Sequence, residues 1–159
     1  MDAAKKVARE YFQRAYDQQM GGNLKEAVRL YNRSIEVYPT AEAYTFLGWT
    51  FSFLSDYDRA IEYCKRAIDV DPDLGNPYND IGAYLIEKGK FEEAIPYLEK
   101  ATIAPRYESS CYPHFNLGRV YEMQGMMFKA QEEYSKSLEK NPDYVLAKVA
   151  LEKLSSSIQ

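Results

Sequence analysis

Only one histidine occurs in the 159-residue chain, His114, and Cys111 stands three residues before it. A Cys-x2-His pair can open a zinc site or couple a thiol to a base. Structural zinc wants four ligands, however, and the other cysteine, Cys64, falls inside the predicted core of a separate helix. As a nucleophile and base the pair lacks an orienting group close in sequence. The carboxylates of "KFEEAIPYLEK" and "KAQEEYSK" recur at helical spacing, which describes a solvated surface rather than an acid–base pair. No phosphate-cradling glycine loop of the Walker or dinucleotide kind is present. These residues predict no enzyme, no metal and no cofactor.

Aromatic rings are the other chemistry on offer. They make up 14% of the chain, with 15 tyrosines and a single tryptophan, Trp49. Five of them crowd into "YTFLGWTFSF", residues 44–53, where the alternation taken alone is that of a half-buried strand. Rings can also stack on nucleic-acid bases, but the formal net charge is −4, with 24 acids against 20 bases. Without a basic track a phosphate backbone would go unneutralised, so nucleic acid is not expected as a partner. The charge is uneven: residues 1–40 hold seven bases and five acids, residues 41–74 three bases and seven acids.

The elements that position these rings follow from an internal repeat. "LKEAVRLYNRSIEVYP" (24–39), "YDRAIEYCKRAIDVDP" (57–72), "FEEAIPYLEKATIAP" (91–105) and "FKAQEEYSKSLEKNP" (128–142) share one pattern. Aligned on Ala27, Ala60, Ala94 and Ala130 they lie 33, 34 and 36 residues apart. A preceding segment repeats as well: "YTFLGWTF" (44–51), "YNDIGAYL" (78–85), "HFNLGRVY" (114–121) and, more loosely, "YFQRAYDQ" (11–18). That register makes 44–53 a helix, and the strand reading fails. Turns are predicted at Gly21-Gly22-Asn23, Ser55-Asp56, Gly89-Lys90 and Gln124-Gly125, and Pro39, Pro72, Pro105 and Pro142 close each helix pair. Gly48, Gly82 and Gly118 are expected where two helices approach closely. The tail "DYVLAKVALEKLSSSIQ" reads as an amphipathic helix that caps the last pair with a solvated surface. The longest interval places two extra residues in "APRYESSCYP" (104–113), a surface loop.

This pattern resembles the tetratricopeptide repeat (TPR) family, whose signature runs W-x2-L-G-x2-Y…A-x3-F…P. The second copy offers Tyr44, Leu47, Gly48, Phe51, Ala60, Cys64 and Pro72; the fourth offers His114, Leu117, Gly118, Tyr121, Ala130, Tyr134 and Pro142. The first copy departs at Arg14 and Gln18. The resemblance implies an all-α, right-handed helical-repeat solenoid of four helix pairs plus a C-terminal capping helix. Repeats are expected at about 8–40, 41–74, 75–110 and 111–144 and the cap at about 145–157.

In TPR proteins the first helices line a concave groove. The resemblance therefore puts Phe46, Trp49 and Phe53, spaced i, i+3, i+7, in that groove. Matching positions give Phe12 and Tyr16 in the first repeat and Asn79 and Asp80 in the third. The fourth repeat gives Tyr112, Phe115, Asn116 and Arg119. The expected groove is aromatic at both ends, acidic in the third repeat, with Arg119 as a lone cation. The carboxylate clamp of some TPR co-chaperones is missing: the positions that need lysine, asparagine and arginine carry Phe12, Tyr16, Phe46, Asn76 and Asp80. One repeat further on they carry Thr45, Trp49, Asp80, Tyr112 and Asn116. A protein or peptide partner is expected, its apolar or amphipathic segment held in the groove of an adaptor or scaffold. The alternative is a homo-oligomer built through the same aromatic face. No apolar run reaches the ~18 residues a membrane span needs, and a cytoplasmic location is expected.

Overall fold

A computed structural model describes residues 2–158. They form α1 (Ala3–Met20), α2 (Leu24–Val37), α3 (Ala41–Phe53), α4 (Tyr57–Val70), α5 (Asn76–Glu87), α6 (Phe91–Ile103), α7 (Cys111–Met123), α8 (Met127–Lys140) and α9 (Val145–Ile158). Beyond the helices, the described residues hold a single isolated bridge, Leu74 with Arg106. The alternating stretch 44–53 lies within α3. Each second helix stops two residues short of its proline. Three of the four intra-pair turns contain a glycine in the left-handed region, and Ser55, with φ 58°, takes that place in the α3–α4 turn.

Packing within a pair depends on small residues. Ala27, Ala60, Ala94 and Ala130 are all 0% exposed. A Cβ on Gly48 would sit 2.8 Å from the Ala60 carbonyl oxygen, one on Gly82 2.3 Å from Leu98 Cδ2, and one on Gly118 2.4 Å from Tyr134 Cε1. Cys64, Leu98 and Tyr134 fill these crossings, and Leu47, Ile81 and Leu117 are buried in one continuous core. Two hydrogen bonds recur at equivalent places in the first and fourth pairs. Ser34 and Ser137 each donate to a first-helix carbonyl, of Ala8 and Cys111, at 2.7 Å. Tyr31 and Tyr134 donate to Gln19 and Glu122 at 2.7 and 2.9 Å.

Neighbouring pairs stack, and the stacking is asymmetric. The first helices touch in succession, α1 with α3, α3 with α5 and α5 with α7, whereas the second helices make no comparable contact with one another. The array therefore bends with its first helices on the inside. The loop carrying the two extra residues does not hang free. Arg106 pairs with Asp71 at 2.6 Å and with Glu42 at 3.4 Å, and its backbone exchanges hydrogen bonds with Asp73 and Gly75. The loop thus reaches back across a whole repeat to the start of α3.

α9 covers Tyr134 and Ala130 with Leu154. Its outer face departs from the solvated cap expected of it: Val145 is 64% exposed, and Leu146 and Val149 lie beside it in the open. No helix among the described residues is long and apolar enough to cross a membrane.

Candidate partner-binding groove

The repeat register brings one ring from each of several turns into line. Phe12 of α1 meets Phe46 of α3 at 5.1 Å between centroids, and Tyr16 meets it at 6.0 Å. Phe46 meets Trp49 at 5.7 Å, and Trp49 meets Phe53 at 5.0 Å, edge to face. Edge contacts of this kind hold rings in fixed orientations. The last ring is the open one. Phe46 packs on the core, Trp49 is half-buried, and Phe53 is 46% exposed. The three residues taken as one stripe are therefore a ladder, anchored at one end and open at the other. Beside Phe12 lies a cleft of about 270 Å³ that includes Lys5, Arg9 and Glu42. Arg9 stands at the place in α1 that Glu42 holds in α3, so its signal was present in the repeat alignment.

The far end holds a second aromatic group. Tyr112 and Phe115 of α7 pack against Tyr144, at 5.2 and 5.3 Å, and Phe115 also meets Tyr134 at 5.7 Å. Tyr112 remains exposed. Tyr144, in the loop before α9, belongs to this group and was not singled out by sequence, because it sits outside the repeating positions.

Between the two ends the polar residues are less open than their positions suggest. Asn116 donates to the Asn79 side-chain oxygen at 3.0 Å, and the two residues are 7% and 8% exposed. Arg119 is not a lone cation. It donates to Asn116 at 3.1 Å and to Glu87 at 3.5 Å, which links α5 to α7. Asp80 differs from all of these. It is half-buried, and neither a hydrogen bond nor an ion pair offsets its charge among the described residues. Burial alone pushes its carboxyl up to about 7.

His114 and Cys111 go separate ways. His114 Nδ1 lies 2.8 Å from Glu133 Oε2, joining α7 to α8. Burial raises the Glu133 carboxyl, but the His114 bond and the Lys136 charge outweigh it and leave the carboxyl below its ordinary value. Cys111 is a buried free thiol, as is Cys64 on α4. The described residues hold no group of three His, Cys, Asp or Glu able to share a metal ion.

Models of the tetratricopeptide repeat match residues 11–41, 41–74, 76–102 and 111–144. The chain belongs to the tetratricopeptide repeat family. TPR arrays are protein–protein interaction modules, and the nine described helices are one. Over 75 residues it is 31% identical to small glutamine-rich tetratricopeptide repeat-containing protein 2 of Mycosarcoma maydis, covering 46% of this chain and 21% of the relative. The chain spans between 15% and 22% of the length of the curated relatives it matches. In fold it is similar to PilF of Pseudomonas aeruginosa, with a TM-score of 0.91 at 23% identity over 98% of this chain and 71% of that one. It is also similar to YrrB, described as a TPR protein with an unusual peptide-binding site. There the TM-score is 0.70 at 20% identity, over 98% of this chain and 84% of that one.

Proposed function

We propose that this TPR array captures an apolar or amphipathic segment of a protein partner along its first helices, as an adaptor or assembly scaffold. The observation that carries the reading is the ladder Phe12–Phe46–Trp49–Phe53, which ends in a ring that is 46% exposed. Rigid rings present a large contact area at low entropic cost, and aromatic residues dominate binding energy at interfaces. Tyr16 flanks the ladder, and Tyr112 and Phe115 offer a second anchor at the far end. Asn79, Asn116 and Arg119 form a polar bridge between them. YrrB, similar in fold, is described by its peptide-binding site, which agrees with a segment lying in the groove.

In this reading the repeats divide at about 8–40, 41–74, 75–110 and 111–144, with 145–157 as the cap. Cys64 and Cys111 are free thiols, which suits a reducing cytoplasmic location. The test is capture of binding partners by the wild type and by Trp49→Ala/Phe53→Ala. We expect the double variant to lose ~10-fold or more in affinity, since truncating each buried aromatic anchor costs on the order of 1 kcal/mol or more. Unchanged capture would remove the ladder from the binding site.

A second reading has its own observation. Leu54, next to Phe53, is 52% exposed, so the open end of the ladder continues into an apolar edge that a second copy could cover. Self-association would make exposure of this edge depend on protein concentration. Partner capture would not.

A further inference from the structure

Between α1 and the start of α3 lies the cleft beside Phe12. Lys5 and Arg9 line it, four residues apart on α1 and so on one face of that helix. Ala8 and Phe12 of the same helix and Tyr38, just after α2, supply its apolar lining, with Ala8 buried and both rings half-buried. Thr40 lines it as well. It caps α3 by accepting from the Ala43 amide at 3.1 Å, which leaves its hydroxyl proton to donate. The volume, about 270 Å³, falls short of the ~300 Å³ at which pockets for whole small molecules begin, and suits one side chain.

The charge of this cleft is one-sided. The one carboxylate that lines it, Glu42, is paired with Arg106 of the α6–α7 loop at 3.4 Å. Lys5 lies over the Tyr38 ring, 5.3 Å from its centroid. Among the described residues, Arg9 is the one arginine with neither a carboxylate nor an aromatic ring as a partner. Arg14 lies over Tyr11, and the others are paired with acids. Two cations without an acid of their own, beside an apolar lining, are complementary to a carboxylate on an aliphatic stem. The planar fork of Arg9 can hold both carboxylate oxygens at once, while Lys5 contributes a point charge. We infer that the cleft receives one aspartate or glutamate side chain of the captured segment, its carboxylate between Lys5 and Arg9 and its stem against Phe12. Phe12 is also the first ring of the ladder, and that sets a register. The acid stands at one end of the apolar stretch that lies along Phe46, Trp49 and Phe53. A segment with a basic residue at that place is repelled.

The inference rests on the proposed groove, but its test needs no partner. In ¹⁵N-labelled protein the Arg9 Nε–H resonance is assigned by its absence in Arg9→Gln. The protein is titrated with hydrocinnamate, a carboxylate joined to a phenyl ring by a short stem, and with its uncharged amide. Each is taken to roughly 20 mM, where fragments of this size begin to load. We expect hydrocinnamate to shift the Arg9 resonance and the Ala8 and Thr40 amides. It should bind about fivefold more tightly than the amide, the preference that two partly exposed ion pairs supply. Lys5→Gln/Arg9→Gln should abolish the preference, and Lys5→Glu/Arg9→Glu should transfer it to phenylpropylamine. Both positions are exposed, so these variants keep the fold. Equal binding of acid and amide, shifts confined to other residues, or a preference that survives Lys5→Gln/Arg9→Gln overturns the inference. So does inorganic phosphate that moves the same resonances as strongly, which would make the cleft a general anion patch. Each of these results leaves capture by the ladder standing. Unchanged capture by Trp49→Ala/Phe53→Ala, with the acid preference intact, would instead remove the ladder alone.

Discussion

A carboxylate taken out of water without a partner favours its neutral form, so Asp80 should make stability fall as pH rises. Its folded value, about 7, lies above the ordinary 3.8. Below pH ~4 both the folded and the unfolded chain keep the proton. Between pH ~4 and 7 the unfolded chain loses it while the native state holds it, and the stability tied to Asp80 drains away over that window. The full shift corresponds to ~4 kcal/mol, less whatever water recovers at the part of the carboxyl that reaches the surface. We predict that Asp80→Asn is more stable than the wild type at pH 8 by ~1–2 kcal/mol, and that the gap closes towards pH 4. Urea unfolding at both values checks it, and equal stability at pH 8 would contradict it. Asp58 and Asp71 are held low by Lys88 and Arg106, so their contributions run the other way, and the difference between the two proteins isolates Asp80. At this scale the ladder was legible in sequence, because Phe46, Trp49 and Phe53 share one helix face. The isolation of Asp80 was not. Its position in the repeat carries a ring in the second copy, Phe46, and nothing in the spacing says how far a carboxylate there is withdrawn from water. Nor was the Asn79–Asn116 bond, which only the stacking of α5 on α7 creates.

Among the elements, each helix pair is fixed by how closely its members cross. Tyr134 cannot swing away from a methyl group at position 118, since its ring is buried and its hydroxyl is bonded to Glu122 at 2.9 Å. Gly118→Ala should therefore destabilise by ~1–3 kcal/mol, even though alanine is the better helix former by ~1 kcal/mol. A denaturant midpoint unchanged or raised would mean that α7 and α8 are further apart than described. Turns and helix ends were legible because proline and glycine act locally, and because the repeat supplied four copies of each signal. The α6–α7 loop shows the limit of that reasoning. Its two extra residues were visible as a longer interval, but its docking was not, since Arg106 finds partners 35 and 64 positions away in sequence.

For the whole molecule, a solenoid is held by contacts between neighbours, so damage at one end should stay there. α9 contacts α8, and Leu154 shares a cluster with Tyr134. Truncation after residue 144 should raise hydrogen exchange in α7 and α8 well before α1 and α2 respond. Uniform loss of protection along the chain would instead mean that the array unfolds as one block. Four stacked pairs followed by one helix were readable from the period alone. The apolar outer face of α9 was passed over, because Val145, Leu146 and Val149 fit a helix whichever side they face. The claim on which the functional account depends is that the ladder is open to a partner, and Trp49, the only tryptophan, reports on it directly. Acrylamide quenching of Trp49 over a dilution series is the measurement to make. An open groove predicts intermediate, quenchable emission that is the same at every protein concentration. Emission shielded at high concentration and released on dilution, or shielded throughout, would contradict it.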